Sequence, residues 1–265
     1  MKIQDKVFVV TGGGSGIGRA LSLALLQRGA RVAAVDIKEA TLNETAQLAN
    51  SAALSTHIVD ISNKAQVEAL LPQVIEKHGM VDGLVNNAGI IQPFVKLVDL
   101  DYPAIERVLN VNLYGTIYML KTFLPTLLKR PEAHVVNISS MGGFFPFPGQ
   151  TLYGASKAAV KILTEGLYAE LIGTNVGVSV VFPGAIATNI SQNSGLAMPE
   201  TDAESAPIKP TSPEVAAETI ITAIEKNKLQ AYIGRDAAMM NIFYKLNPRG
   251  AIHFITKQME SLLPK

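Results

Sequence analysis

The 265-residue chain contains no cysteine. That absence removes disulfides, cysteine–zinc sites, iron–sulfur clusters and thiol catalysis together. Histidine is scarce as well: His57, His78, His134 and His253 are scattered, with no HExxH or other ligand spacing. No metal is assigned. Charge of one sign is also lacking, because 23 Lys and Arg stand against 22 Asp and Glu, a balance of +1. A chain so balanced has no general electrostatic grip on nucleic acid or on an anionic bilayer. No stretch reaches the roughly 18 uninterrupted apolar residues of a spanning helix. The N-terminus, MKIQDKVFVVTGGG, has no charged region followed by a long apolar run, so it does not read as a signal peptide. The expectation is a cytoplasmic globular protein with a small-molecule partner, no nucleic acid and no stable membrane insertion.

What the chain does have is core material: 48% apolar and 17% charged residues leave no case for global disorder. Short β-branched runs alternate with longer amphipathic stretches. Strands are expected at Lys6–Thr11, Arg31–Asp36, Ser55–Asp60, Asp82–Asn86, Ala133–Ser139 and Val176–Phe182. Helices are expected over Ile17–Arg28, Glu39–Asn50, Lys64–His78, Asp101–Lys129 and Glu214–Lys226. The strands are continuous apolar runs more than alternating ones, as in a parallel sheet covered on both faces. This order predicts a doubly wound α/β sheet with right-handed crossovers, in a single domain over residues 1–265. The one composition break, Ser191–Pro213, is rich in Pro, Ser, Ala and acidic residues. A surface linker is the plain reading. Because the segment follows a strand end where ligands sit, residues 189–213 are read instead as a substrate lid.

Strand Lys6–Thr11 runs into Thr11-Gly12-Gly13-Gly14-Ser15-Gly16-Ile17-Gly18, and a helix follows at once. Glycines there allow a tight turn and bring amide N–H groups close to a phosphate at the helix N-terminus. The phosphate loop GxxxxGK[ST] is nearly matched from Gly13 to Gly18, but Arg19-Ala20 replaces its Lys and hydroxyl. GxGxxG fails on strict spacing, since the glycines fit TGxxxGxG. Asp36 closes the second strand 20 residues after Gly16. A carboxylate in that place accepts hydrogen bonds from an adenosine ribose. A 2′-phosphate would meet like charge there, and neither Ser15 nor Ile37 offers a cation, although Lys38 is near. Loop and acid together favour NAD(H) over NADP(H).

Tyr153 and Lys157 open a helical stretch that runs to about Gly173. At i and i+4 they project from one face. An ammonium near a phenol favours the phenolate, lowering a pKa of about 10 and making the Tyr a usable proton donor or acceptor. YxxxK alone is a weak signal, and its context carries the argument. Ser139-Ser140-Met141-Gly142-Gly143 ends the fifth strand at the carboxyl edge of the sheet, where ligands of such folds bind. Asn86-Asn87-Ala88-Gly89 ends the fourth strand at the same edge. Asn112 lies within an apolar helix, a poor place for an amide without a partner. Pro183-Gly184 ends the sixth strand, with Thr188 just beyond.

TGGGSGIG, Asp36, Asp60-Ile61, NNAG, Asn112, Ser140, YGASK and PGAIAT occur in this order between Lys6 and Gly234. The chain thereby resembles a short-chain dehydrogenase/reductase of ordinary length. The resemblance implies a Rossmann-like doubly wound parallel sheet of about seven strands with helices on both faces. It implies an NAD-dependent oxidoreductase that interconverts a secondary alcohol and a ketone. Tyr153 is implied as general acid/base, and Ser140 as bonding the same substrate oxygen. Lys157 is implied to bond the nicotinamide ribose and lower the Tyr153 pKa, and Asn112 to hold a water linking Lys157 to solvent. For the dinucleotide, Gly12, Ser15, Gly16, Ile17 and Gly18 are implied around the pyrophosphate and Asp36 on the ribose. Asp60 and Ile61 are implied beside adenine, and Asn87, Ala88 and Gly89 along the path to the nicotinamide ribose. Pro183, Gly184, Ile186 and Thr188 are implied to fix the nicotinamide. A homotetramer or homodimer, formed partly through the helices after Asn112 and Tyr153, is implied as well. Two rivals stand beside this reading. One is an NADP(H)-dependent reductase of 3-oxoacyl thioesters, against which Asp36 speaks. The other is a non-catalytic dinucleotide-binding sensor, which should have lost part of the Asn–Ser–Tyr–Lys set retained here.

Two segments expected to face substrate, Met141–Pro148 and Ile90–Phe94, are unusually apolar. They predict a hydrophobic pocket for the substrate body, with Gln92, Gly142 and Phe147 as contacts. No Arg or Lys appears beside them, so a highly anionic substrate is not expected. Residues Arg235–Lys265 read as a C-terminal extension of two amphipathic helices around Asn247-Pro248-Arg249-Gly250. Packing onto the domain or a neighbouring subunit is the first reading of that extension, pocket closure the second, and peripheral membrane contact the third.

Overall fold

Valine-rich runs with no polar face build the centre of the structure, a computed structural model in which residues 1–196 and 210–259 are described. Seven parallel strands form one sheet: β1 Val7–Thr11, β2 Arg31–Asp36, β3 Leu54–Ile58, β4 Gly83–Asn86, β5 Ala133–Ile138, β6 Val176–Pro183 and β7 Gln230–Ile233. The first five helices are α1 Gly16–Gln27, α2 Glu39–Ala49, α3 Lys64–His78, α4 Tyr102–Leu109 and α5 Thr116–Leu127. They are followed by α6 Thr151–Glu170, α7 Ile190–Asn193, α8 Pro213–Glu225, α9 Arg235–Leu246 and α10 Pro248–Gln258. The spatial order is β3-β2-β1-β4-β5-β6-β7, so the winding reverses between β1 and β4.

Pleating sends alternate side chains to opposite faces. Phe8 and Val10 of β1 join a core under α1 and α8, while Val9 joins a second core under α3, α5 and α6. Each fully buried Val, Leu or Phe contributes about 1.5–3 kcal/mol. The two cores therefore hold the strand ends, and the loops that leave them, in fixed positions.

Three features differ from the sequence reading or lay beyond it. β7 is a four-residue edge strand, QAYI, too short and too polar to stand out as an apolar run. The expected helix over Asp101–Lys129 is not continuous, because Asn110–Gly115 forms a π-helical turn between α4 and α5. Such wide turns cluster at functional sites, and here the Asn112 amide, tied to the backbone of Ile90, holds it. The third feature is the segment 189–213. Its described part contains α7 and a bridge between Ile186 and Thr211, and residues 197–209 lie outside the described residues. Beyond β7, α9 and α10 fold back onto the loop after β5, where Met240 and Ala251 pack around the fully buried Phe145.

Candidate active site

At the reversal between β1 and β4, the loops leaving the strands' carboxyl ends enclose a cavity of about 720 Å³. One end is built by the glycine loop. Gly12 has φ +68°, a left-handed conformation, and a Cβ there would lie 2.8 Å from Asn87 Nδ2. A Cβ at Gly18 would lie 2.6 Å from the Gly12 carbonyl carbon, so only glycine lets α1 start against the loop. Ser15 precedes α1 without a side-chain cap, and the first turn carries no acid. The amides there are open to an anion, and the local dipole favours one. A dinucleotide pyrophosphate fits this cradle.

Asp36, at the end of β2, is oriented by two backbone amides. Its Oδ2 accepts from Gly14 N–H at 3.1 Å and its Oδ1 from Lys38 N–H at 3.1 Å. Asp60 is set by Ser62, whose hydroxyl donates to its Oδ1 at 2.7 Å. Thr11 Oγ1 accepts the N–H groups of both Asn87 and Ala88 at 3.0 Å, fixing the loop after β4 to β1. Behind it, Asn86 donates to Asn137 Oδ1 at 2.8 Å and Asn137 donates to Thr164 Oγ1 at 2.9 Å. That chain braces the sheet rather than the cavity.

The other end holds the expected chemical groups. Tyr153 is the third residue of α6, Lys157 follows one turn later, and Ser140 stands near the start of the loop leaving β5. All three line the cavity with Gly12, Ser15, Gly16, Ile17, Asp36, Asp60, Ile61, Asn87, Ala88, Gly89, Pro183, Gly184, Ile186 and Thr188. Ser140 accepts Gly142 N–H at 3.0 Å and meets the Tyr153 phenol, whereas Ser139 donates to the Lys157 carbonyl at 2.7 Å. Geometry thus separates the two serines, giving Ser140 the reactive side and Ser139 the scaffold. Lys157 Nζ donates to the Ile138 carbonyl at 3.0 Å, and burial lowers its pKa from 10.5 to about 8.

The structure corrects the expectation that Lys157 pulls the Tyr153 pKa down. Burial pushes the phenol above its ordinary value of 10, and the Ser140 hydroxyl opposes that only in part. The ammonium is turned to the Ile138 carbonyl and is itself disfavoured by burial. Desolvation outweighs the Ser140 hydrogen bond here.

Four expected contacts do not line the cavity. Gln92 is corrected outright: its Oε1 accepts the amides of Leu152 and Tyr153 at 2.7 and 3.0 Å, and its Nε2 donates to the Gly149 carbonyl. It caps α6 and so positions Tyr153. Gly142 packs beside the Tyr153 ring, where an added Cβ would lie 3.3 Å from Cε1. Gly18 is the helix-packing glycine described above. Asn112 has both polar ends engaged, accepting from Ile90 N–H at 2.9 Å and donating to Ile90 O and Ser156 Oγ. Its direct work is to hold the loop after β4 beside Lys157. Of the three clustered phenylalanines, only Phe147 reaches the cavity. Phe145 packs on Tyr244 at 5.9 Å between ring centres, and Phe144 on Phe182 at 5.4 Å.

Other residues were not found from sequence. Buried Asp236 accepts the Ala185 amide at 2.8 Å and shapes the turn after β6. Asn193 spans the cavity mouth, donating to Ser15 Oγ and accepting from Lys38 Nζ, each at 3.0 Å. Met259 and Arg107 also line the cavity. Arg107, from α4, is a cation that the apolar segments did not reveal, so the exclusion of anionic substrates does not hold.

Comparison with known proteins agrees with this arrangement. A family model described as short chain dehydrogenase matches residues 6–198. An uncharacterized oxidoreductase of Staphylococcus saprophyticus is 39% identical over 194 residues, covering 72% of this chain and 82% of its own. A short-chain dehydrogenase/reductase of Burkholderia phymatum, solved in complex with NAD, superposes with a TM-score of 0.81 at 27% identity, over 93% of this chain and 96% of that one. A 3-ketoacyl-(acyl-carrier-protein) reductase of Brucella melitensis, solved with NADH, gives a TM-score of 0.80 at 26% identity, over 88% and 99%. The matching residues include the glycine loop, the Asn-rich turn and the Tyr–Lys helix that meet at one cavity, and the chain belongs to the short-chain dehydrogenase/reductase family of oxidoreductases.

Proposed function

We propose that this protein is an NAD(H)-dependent oxidoreductase that interconverts a secondary alcohol and a ketone with an apolar body. The observation that carries the reading is the convergence of Ser140, Tyr153 and Lys157 with the glycine loop on one cavity. When bound, the nicotinamide donates or accepts the hydride. The rest is the work of the chain. The Tyr153 hydroxyl gives its proton to a carbonyl oxygen, or as phenolate takes one from an alcohol, and Ser140 Oγ donates to that same oxygen and fixes its place. A general acid or base so positioned is worth about 10²–10⁴ in rate. Burial raises the Tyr153 pKa and so favours the protonated form, the donor that ketone reduction needs. Alcohol oxidation needs the phenolate, which the Ser140 hydroxyl stabilises in part. Asp36 accepts from the ribose hydroxyls and repels a 2′-phosphate, which favours NAD(H). Asn112, Gln92 and Asp236 are positioning residues, since each acts by holding a loop or helix that carries a reacting group.

Phe94, Phe147, Ile90, Ile91, Val111 and Met259 supply apolar wall to the cavity. Apolar walls with a few convergent polar groups suit a hydrophobic substrate body. The test is NADH formation at 340 nm with NAD⁺ and aliphatic, alicyclic and aromatic secondary alcohols. Turnover that ranks with apolar bulk supports the reading, and silence across the panel defeats it. Phe147→Ala is expected to reorder that ranking by about tenfold while the affinity for NADH stays within about twofold.

A further inference from the structure

The proposed reaction makes no use of the outer surface of α9 and α10, and that surface is unusual in charge. Met239, Ile242 and Leu246 are 55, 60 and 81% exposed and recur at i, i+3 and i+7 on α9. Such spacing puts them on one helix face. Arg235 is exposed in the same stripe, and Lys245 is exposed beside it. On α10 the exposed residues Arg249, Ile252, His253, Thr256 and Lys257 follow a single helical face. Between Ala237 and Met259 the chain has Lys245, Arg249 and Lys257 but no Asp or Glu. Of the two acids that flank this stretch, Asp236 is buried on the Ala185 amide and Glu260 follows Met259. Some other exposed apolar side chains sit next to acids, Val98 by Asp99 and Ile172 near Glu170, whereas Leu128 stands beside Lys129 and Arg130. A near-neutral chain thus carries an excess of positive charge where it also exposes an apolar stripe.

We infer that α9 and α10 form a docking surface for an anionic lipid membrane. Met239, Ile242 and Leu246 enter the boundary between headgroups and acyl chains, and Lys245, Arg249 and Lys257 meet the lipid phosphates. No helix among the described residues is long and apolar enough to cross a membrane, so the contact is peripheral. Met259, which follows α10, lines the active-site cavity. The docked face therefore lies beside the cavity, and an apolar alcohol or ketone dissolved in lipid has a short path inward. That consequence rests on the proposed reaction, whereas the docking itself does not.

The test is co-sedimentation of the full chain with vesicles of phosphatidylcholine alone or mixed with phosphatidylglycerol. The protein is expected to pellet with the anionic vesicles, to stay in solution with the neutral ones, and to be released by salt. Ile242→Asp combined with Leu246→Asp is expected to abolish pelleting. Lys245→Gln with Arg249→Gln is expected to weaken it by about fivefold for each cation removed. Both double variants are expected to keep wild-type turnover of a water-soluble alcohol, which shows that they are folded. Failure to pellet with anionic vesicles at low salt overturns the inference, as does pelleting that neither double variant changes. A fall in sedimenting mass of the aspartate variant, without vesicle binding by the wild type, overturns it in favour of a contact between copies. Pelleting without turnover of any alcohol leaves the docking standing and defeats the reaction reading instead.

Discussion

Lys157 links the site's chemistry to a measurable stability. Its Nζ is buried, bonds the Ile138 carbonyl, and has a pKa lowered from 10.5 to about 8 by desolvation. Between those two values an unfolded chain holds a proton that the native protein lacks. Stability from this group therefore rises with pH across that window, and the charged form weighs against folding below it. Working the two titrations from about pH 7 to about pH 9.5 gives a gain of about 2 kcal/mol. Lys157→Met removes the titrating amine and keeps an unbranched stem of similar bulk. In urea unfolding at equal protein concentration, the stability of the Met variant minus that of wild type is expected to fall by about 2 kcal/mol over this interval. Taking the difference cancels groups that titrate alike in both proteins. A difference that stays flat, or grows in the variant's favour with rising pH, refutes the buried, depressed ammonium.

The cofactor end gives two further tests. Asp36→Ala removes the carboxylate oriented by Gly14 and Lys38, and is expected to lower the NAD-over-NADP ratio of kcat/KM by about tenfold or more. An unchanged ratio removes Asp36 from the ribose. Asn193→Ala breaks both hydrogen bonds across the cavity mouth, to Ser15 and Lys38. Stopped-flow displacement is expected to show NADH leaving roughly tenfold faster, and an unaltered rate means that the bridge does not gate the site.

The central strands were legible in the sequence because they are apolar runs, whereas β3, LSTHI, is a half-exposed strand placed by its position between two helices. β7 escaped because its four residues, QAYI, are too few to stand out as a run. The glycine loop, Asp36 and the Tyr153–Lys157 pair were legible for a different reason. Their chemistry depends on short local spacings, which survive in one dimension. What sequence could not supply was tertiary partnership. Gln92 read as a polar group in an apolar pocket, but its amide is consumed in capping α6. The π-turn at Asn110–Gly115 hides inside a good helical period because its cause is a distant backbone, that of Ile90. The direction of the Tyr153 shift was missed on the same ground. A charge four residues away is visible in sequence, while burial is not.

The reaction stands most directly on the Tyr153 hydroxyl. Tyr153→Phe deletes that oxygen and leaves the ring that packs beside Gly142. With a secondary alcohol that the wild type oxidises, NADH formation at 340 nm is expected to fall by about 10³-fold. NADH titrated into the same variant is expected to bind within about twofold of wild type. Turnover that survives within about tenfold, with NADH bound normally, would place the proton transfer on another group and contradict the account.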